Sequence, residues 1–387
     1  MVRVSSIFSQ ILSLIDRNGF HNIVREHGAE KHAKGYSCWE QCVAMLFCQM
    51  AQAKSIREIC GGLACCVGKI KHLGFKEAPK KSTLSYANAH RPWQLYQDLF
   101  YQALERCRVM APRHKFRFKN KLLSLDSSTI SLCLSLFPWA DYRKTKGAVK
   151  LHLLLDHDGY LPTYAYISNG KKSDGKVARF VQLSKGSIVA MDRGYNDYSL
   201  FSEWTERGIY FVTRLKDNAR FYVEEEREIP QKRNIISDQL IVLADYDKCP
   251  HTLRRVVVWD EKNQREVVLL TNHLTFGATT ISAIYKDRWQ IELFFKALKQ
   301  NLKVKTFVGT SENALYIQIW TALIAMLLIK YLQFMSKIAW SLSNLVAFLR
   351  WNLFTYRDLR DWIDDPFETP PLEPPQIQQA ISWTASL

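Results

Sequence analysis

Between residues 116 and 216 the chain carries five short runs rich in branched and aromatic side chains, and their spacing restricts the fold more than any other feature. FRFKNKLLSLDSSTISL, VKLHLLLDHDG and LPTYAYISNG come first, and SIVAMDRGY and IYFVTRLK come later, each after a longer connection. Runs of this kind bounded by HDG and NG read as strands. Three strands in succession, expected to be joined by short turns, then a longer connection and two more strands, describe an α+β sheet. The longer connections suit helices, one around Val177–Leu183 and one in FSEWTERG, residues 201–208. The expectation is a mixed α+β or α/β sheet flanked by helices.

The flanks read differently. Residues 1–110 are helical: WEQCVAMLFCQMAQA has apolar residues at helical spacing, and SIREICGGLACCVGKIKHLGF is expected to break at its Gly pair. This domain fits a helix-turn-helix-like DNA module or a plain helical bundle. FYVEEERE, DQLIVLADY, LRRVVVWDE and REVVLLTN, within residues 217–280, read as a separate all-β insertion. Helices return from Thr280 to Leu349, so the catalytic domain is expected to be residues 111–216 with 281–350. The most apolar run, IWTALIAMLLI (319–329), is shorter than the roughly 20 residues of a membrane span and reads as a buried helix. PFETPPLEPP (366–375) belongs to a tail, 351–387, with a Pro-rich linker.

The net charge of +16 and pI of about 9.4 suit a polyanionic partner, with nucleic acid first and an anionic membrane surface second. The nine cysteines form no paired C-x2-C and no disulfide framework, which argues against a zinc module. The N-terminal residues lack the apolar core and cleavage site of a signal peptide.

Two strands carry an isolated aspartate. Asp126 sits inside LLSLDSSTISL, and Asp192 ends SIVAMDRGY just before a glycine turn. A carboxylate among buried strand residues costs several kcal/mol unless it is paired, hydrogen-bonded or metal-bound. A third carboxylate lies on the helix YKDRWQIELFFKALKQ (285–300). At about 100° per residue, Tyr285, Arg288, Glu292, Lys296 and Lys299 form one stripe beside a buried face of Ile291, Phe294, Phe295, Leu298 and Leu302. Three carboxylates converging on one point repel one another, and a divalent cation relieves that repulsion. The plain alternatives are an Arg288–Glu292 ion pair, turn capping by Asp192 and a hydrogen-bonded Asp126. Asp156 and Asp158 of HDG read as turn formers. RHKFRFKNK (113–121) reads as an alternating basic strand, suited to phosphates or to a charged sheet edge.

Tyr285-x2-Arg288-x3-Glu292-x6-Lys299, preceded by DSST at 126–129, DRGY at 192–195 and Thr271-Asn272, resembles the motif set of DDE transposases of the insertion-sequence-four family. KSTLSYANAHR also resembles the helical leader of that family. The resemblance covers about residues 5–350. It implies a ribonuclease H-like catalytic fold with Asp126, Asp192 and Glu292 as catalytic residues and ligands of Mg²⁺ or Mn²⁺, as two ions. Tyr285, Arg288, Lys296 and Lys299 would meet DNA, and Trp259 in the insertion would stack on a flipped base. The implied activity is cleavage of the terminal inverted repeats of the chain's own element and joining to target double-stranded DNA. The implied assembly is a homodimer without a membrane partner, in the bacterial cytoplasm at the nucleoid. Two other readings use the same residues: a metal-dependent endonuclease of this fold without strand transfer, and a domesticated DNA-binding protein without catalysis. The complete triad argues against the latter.

Overall fold

The computed structural model describes residues 5–372 except 32, 34, 67–69, 144–145, 172–173, 232 and 305. Part of the Pro-rich tail expected above, residues 373–387, lies outside the described residues. Two compact units are present, residues 104–316 and residues 1–103 with 317 onward.

The first unit is built on one ten-stranded sheet. Its strands are β1 (Leu122–Leu132), β2 (Asp141–Arg143), β3 (Lys146–Asp156), β4 (Leu161–Asn169), β5 (Ile188–Met191), β6 (Tyr210–Arg214), β7 (Phe221–Glu226), β8 (Ile235–Leu243), β9 (Leu253–Asp260) and β10 (Arg265–Thr271). β4, β3 and β1 pair antiparallel in turn, with Asp126 opposite Leu153, but the connection from β1 to β3 is longer than the expected short turn and carries β2, which pairs with β3. β5 then pairs parallel to β1, and β6 parallel to β5. The order β4-β3-β1-β5-β6 is the ribonuclease H-like arrangement expected from the motifs. The helix Tyr198–Glu206 makes the crossover between β5 and β6, as its sequence suggests.

Strand alternation sorts the core onto two faces. Leu123, Leu125, Val189, Met191 and Phe211 pack with Phe201 and Trp204 of the crossover helix. Leu122, Ile188, Ala190, Val212, Val256 and Leu269 pack with Ala278, Ile281 and Ile284 of the helix Ala278–Asp287. Fully burying one such large side chain is worth roughly 1.5–3 kcal/mol, so these two layers hold the sheet and its helices in register.

The four strands within 217–280 do not stand apart. β10 pairs antiparallel with β6, and β9, β8 and β7 follow outward in the same sheet. An unpaired β6 edge would leave buried backbone groups without partners, and β10 satisfies them. Thr271-Asn272 secures that seam. Asn272 accepts from the Phe211 amide at 2.9 Å and donates to the Ile209 carbonyl at 2.8 Å, while Thr271 Oγ1 donates to the Phe211 carbonyl at 2.5 Å. Residues 113–121 form bends rather than the expected strand. Phe116 and Phe118 stack there, 5.1 Å apart, and pack on the sheet, while Lys115 and Lys121 reach Asp287 and Asp156.

In the second unit the helix Cys38–Ala51 is the buried centre. The Gly pair lies inside the helix Ile56–Ala64 instead of breaking it. A Cβ on Gly62 would stand 2.8 Å from the Phe47 ring, so the glycine serves close helix packing. The apolar run 319–329 is the middle of a 24-residue helix, Glu312–Met335, long and apolar enough to cross a membrane by length and composition, yet 83% of its apolar window is buried inside the protein. Trp320 packs against Phe100 at 5.3 Å. The helices Leu342–Asn352 and Leu359–Asp364 belong to this unit, with Trp362 buried. Residues 317–364 therefore divide differently from the expected catalytic domain and tail. The Ile7 and Phe8 amides donate to the Thr355 and Leu353 carbonyls at 3.0 and 2.8 Å, closing the N-terminal helix onto the C-terminal segment.

Candidate active site

β1 and β5 run parallel with Leu125 beside Met191, so the next residues, Asp126 and Asp192, leave adjacent strands side by side. Alternation puts both on the face of the helix Ala278–Asp287, with Leu122 and Ile188. That helix ends at Asp287, and after a turn at Arg288 a second one, Trp289–Asn301, carries Glu292. Ile291, Phe294, Phe295 and Leu298 of the second helix are buried, as its periodicity indicates. That face fixes the edge on which Glu292, Lys296 and Lys299 emerge.

The result is a cleft of about 450 Å³ lined by Asp126, Ser127, Ser128, Glu292, Phe295, Lys296, Lys299 and Gln300. Arg288 stands between two of the carboxylates. Its Nη2 donates to Glu292 Oε1 at 2.8 Å, and its Nη1 is 3.6 Å from Asp126 Oδ2. Its guanidinium also lies 5.5 Å from the Tyr285 ring centre. The ion pair that offered the plain reading of Arg288 is thus present, but it sits inside the acidic cleft. Lys299 Nζ donates to Ser128 Oγ at 2.6 Å and to the Thr129 carbonyl at 3.0 Å, anchoring the helix to β1.

The electrostatics of the cleft are set by burial of Asp126 and by the Arg288 guanidinium between two carboxylates. Burial pushes the Asp126 carboxyl up to about 6; the Ser127 amide and Arg288 oppose the shift, and Glu292 and Asp192 add to it. Burial works to lower the Arg288 guanidinium, but Tyr285, Glu292 and Asp126 outweigh it and hold the group above its ordinary value. Asp192 precedes the short 3-10 turn Arg193–Tyr195, yet its side chain makes no capping hydrogen bond. The capping role is therefore not taken up. Among the described residues no three His, Cys, Asp or Glu side chains stand close enough to share one ion; Asp126 and Glu292 are bridged by the Arg288 guanidinium instead.

A family model described as a transposase DDE domain matches residues 117–328, more than half of the chain, and a model described only as a domain of unknown function matches residues 3–76. The chain belongs to the DDE transposases. It is similar to the "Probable transposase for insertion sequence element IS5377" of Geobacillus stearothermophilus, with 29% identity over 73% of this chain and 74% of that protein. It is also similar to y4zB of Sinorhizobium fredii, likewise named a transposase, with 29% identity over 77% and 83%. The transposase of insertion sequence element IS4 from Escherichia coli is 22% identical over 47% of this chain and 43% of that protein, in line with an insertion-sequence-four assignment. A solved piggyBac transposase synaptic complex with hairpin DNA aligns over 96% of this chain and 84% of that one, at TM-score 0.45 and 10% identity. The protein is therefore a DNA transposase, an enzyme that cleaves DNA strands and transfers them, and its family depends on divalent metal ions.

The transposase does not bring every sequence candidate together. Asp126, Glu292, Arg288, Lys296 and Lys299 share the cleft or its rim, Tyr285 flanks Arg288, and Asp192 stands beside Asp126. Trp259 is elsewhere. It lies on β9, two strands beyond β6, and alternates with Leu253. Leu253 packs on the crossover-helix face, so Trp259 leaves the sheet on the side opposite Asp126 and Asp192. Ser128, which lines the cleft, was missed by sequence reasoning. Ser128 follows Asp126 at the period-2 spacing that places both on one face, which was a usable signal. Trp289 is exposed beside Glu292, and a lone Trp on an amphipathic helix gave no cue to that.

Proposed function

We propose that Asp126, Asp192 and Glu292 form the catalytic acidic triad of this transposase, and that the cleft lined by Asp126 and Glu292, with Asp192 beside Asp126, receives the ends of its own insertion sequence. The observation that carries this reading is the side-by-side placement of Asp126 and Asp192 on neighbouring parallel strands, on the face covered by the helix Ala278–Asp287, which is followed directly by the helix Trp289–Asn301 that bears Glu292. These three residues would hold Mg²⁺ or Mn²⁺, as two ions. Bound divalent ions supply Lewis-acid neutralisation of phosphoryl charge and ease deprotonation of an attacking water or 3′-hydroxyl. The oxygen-only donor set and the raised Asp126 carboxyl suit such hard cations.

The chain's own residues do the rest. Lys296 and Lys299 line the cleft and give the phosphate backbone cationic partners. Arg288 orients Glu292 through its 2.8 Å bond, and Tyr285 supports the guanidinium from the side. The substrate is double-stranded DNA carrying terminal inverted repeats, then target DNA. Two copies pair two ends, and the protein works in the bacterial cytoplasm. Asp126→Ala, Asp192→Ala and Glu292→Ala are each expected to abolish cleavage of end DNA while gel-shift binding persists. Cleavage at the normal rate by any one of them removes that residue from the triad.

A further inference from the structure

A second polar chain lies directly beneath the cleft. Ser124 precedes Asp126 by two residues on β1, shares its face by alternation and is fully buried. Its Oγ is 2.7 Å from Nε2 of His157, which follows β3 and is itself buried. Nδ1 of His157 is 2.7 Å from Oδ2 of Asp287, the last residue before Arg288. Lys115 Nζ reaches the other carboxylate oxygen at 2.5 Å, and the His157 amide donates to the Leu122 carbonyl at 3.0 Å.

The proton positions follow from the chemistry of the groups. A carboxylate only accepts, so Nδ1–H donates to Asp287; with a neutral imidazole, Nε2 accepts from the Ser124 hydroxyl. This serine–histidine–aspartate order resembles a nucleophile with its base, but buried Ser124 cannot meet a substrate. Its position suggests a different task. One end is two residues from Asp126 on its strand. The other end is one residue from Arg288, which binds Glu292. The chain therefore joins the two walls of the cleft by a route separate from the 3.6 Å Arg288–Asp126 contact. It does so at the turn between the helices Ala278–Asp287 and Trp289–Asn301, where a change of angle would swing Glu292. Apolar packing of Ile291, Phe294 and Leu298 resists separation but tolerates sliding, whereas directional hydrogen bonds fix register.

We propose that Ser124, His157 and Asp287 are a positioning relay that sets the distance between Asp126 and Glu292 and so tunes metal-dependent strand cleavage. This rests on the triad reading given above. The test uses the full-length protein with Ser124→Ala, Asp287→Ala, Asp287→Asn and Glu292→Ala, together with the Ser124→Ala/Asp287→Ala double variant. Melting temperature, end-DNA affinity by gel shift, and single-turnover cleavage across a Mn²⁺ titration are measured on each.

The expected result is that Ser124→Ala and Asp287→Ala cut the cleavage rate by about tenfold to a hundredfold and raise the Mn²⁺ concentration for half-maximal rate, with end-DNA affinity nearly unchanged. The double variant should be no worse than the more damaged single variant, because both break one chain. Asp287→Asn keeps an oxygen that accepts from Nδ1–H and should restore most of the rate. Wild-type cleavage and Mn²⁺ dependence in folded Ser124→Ala and Asp287→Ala would overturn the proposal. So would parallel loss of melting temperature and DNA affinity, which marks a purely structural role. If Glu292→Ala cleaves normally, the triad reading itself fails, an outcome distinct from relay failure.

Discussion

Asp126→Asn should make the metal-free transposase more stable, not less. The Asp126 carboxyl is ordinarily near 3.8 and is pushed up to about 6 in the folded protein, chiefly by burial, with Glu292 and Asp192 adding to the shift. The folded value exceeds the unfolded one, so the folded state holds the proton more tightly. The associated stability is complete below the unfolded value and is lost as pH rises through the folded value. A displacement of about 2 units is worth about 3 kcal/mol at 1.36 kcal/mol per unit. The Asp126 side chain is only 20% exposed, so solvent screening takes little from that figure. The attraction to Arg288 is already contained in the net shift. Asparagine keeps the oxygen that accepts from the Ser127 amide at 2.8 Å and cannot ionise. At pH 8 in EDTA the variant should be more stable by up to about 3 kcal/mol, which for a unit of this size is about 6–12 °C in melting temperature. Near pH 3, below the unfolded value, the two proteins should melt together. Adding Mn²⁺ at pH 8 should raise the wild type and leave the variant nearly unmoved. Scanning fluorimetry over this pH range decides the matter. An Asn variant that melts at or below the wild type at pH 8 without metal would refute the reasoning that burial, with Glu292 and Asp192 adding to it, penalises the ionised Asp126 carboxylate.

Other outcomes follow from the same geometry. End-DNA binding should weaken steeply with salt, and Lys299→Ala should flatten the slope of log K against log salt by about one unit; an unchanged slope would leave Lys299 as the tether to Ser128 alone. Trp259→Ala should cleave ends normally, because Trp259 leaves the opposite face of the sheet, whereas Trp289→Ala should slow processing; a base-analogue fluorescence assay at the terminal nucleotides separates the two. Asp238→Ala strands the buried Arg254 guanidinium, which Asp238 grips at 2.8 and 2.6 Å, and should cost about 3–5 kcal/mol by chemical denaturation. Replacing residues 217–280 with a short linker should yield insoluble protein, since it strips β10 from the β6 edge; a soluble, two-state product would contradict that.

Local chemistry made much of this transposase legible from its residues alone. Branched and aromatic runs mark the strands, and the HDG turn specifies the β3–β4 hairpin, because side-chain sterics and turn geometry act within a few residues. The amphipathic period of 285–302 likewise determines which side of the motif helix is buried and where Glu292 emerges. The spacing of Tyr285, Arg288, Glu292 and Lys299, with DSST and DRGY, pointed to the family. Tertiary structure decided what depends on partners distant in sequence. Nothing local in REVVLLT says that its edge pairs with β6 instead of closing a separate barrel or sandwich, because strand pairing is chosen by which edges remain unsatisfied. The same holds for Gly62, whose role is set by the Phe47 ring on another helix, and for residues 317–364, whose apolar faces suit either unit until the N-terminal helices are in place. The Ser124–His157–Asp287 chain was invisible for this reason too: its members lie 33 and 130 residues apart, and only the folded sheet brings their hydrogen-bonding atoms within reach.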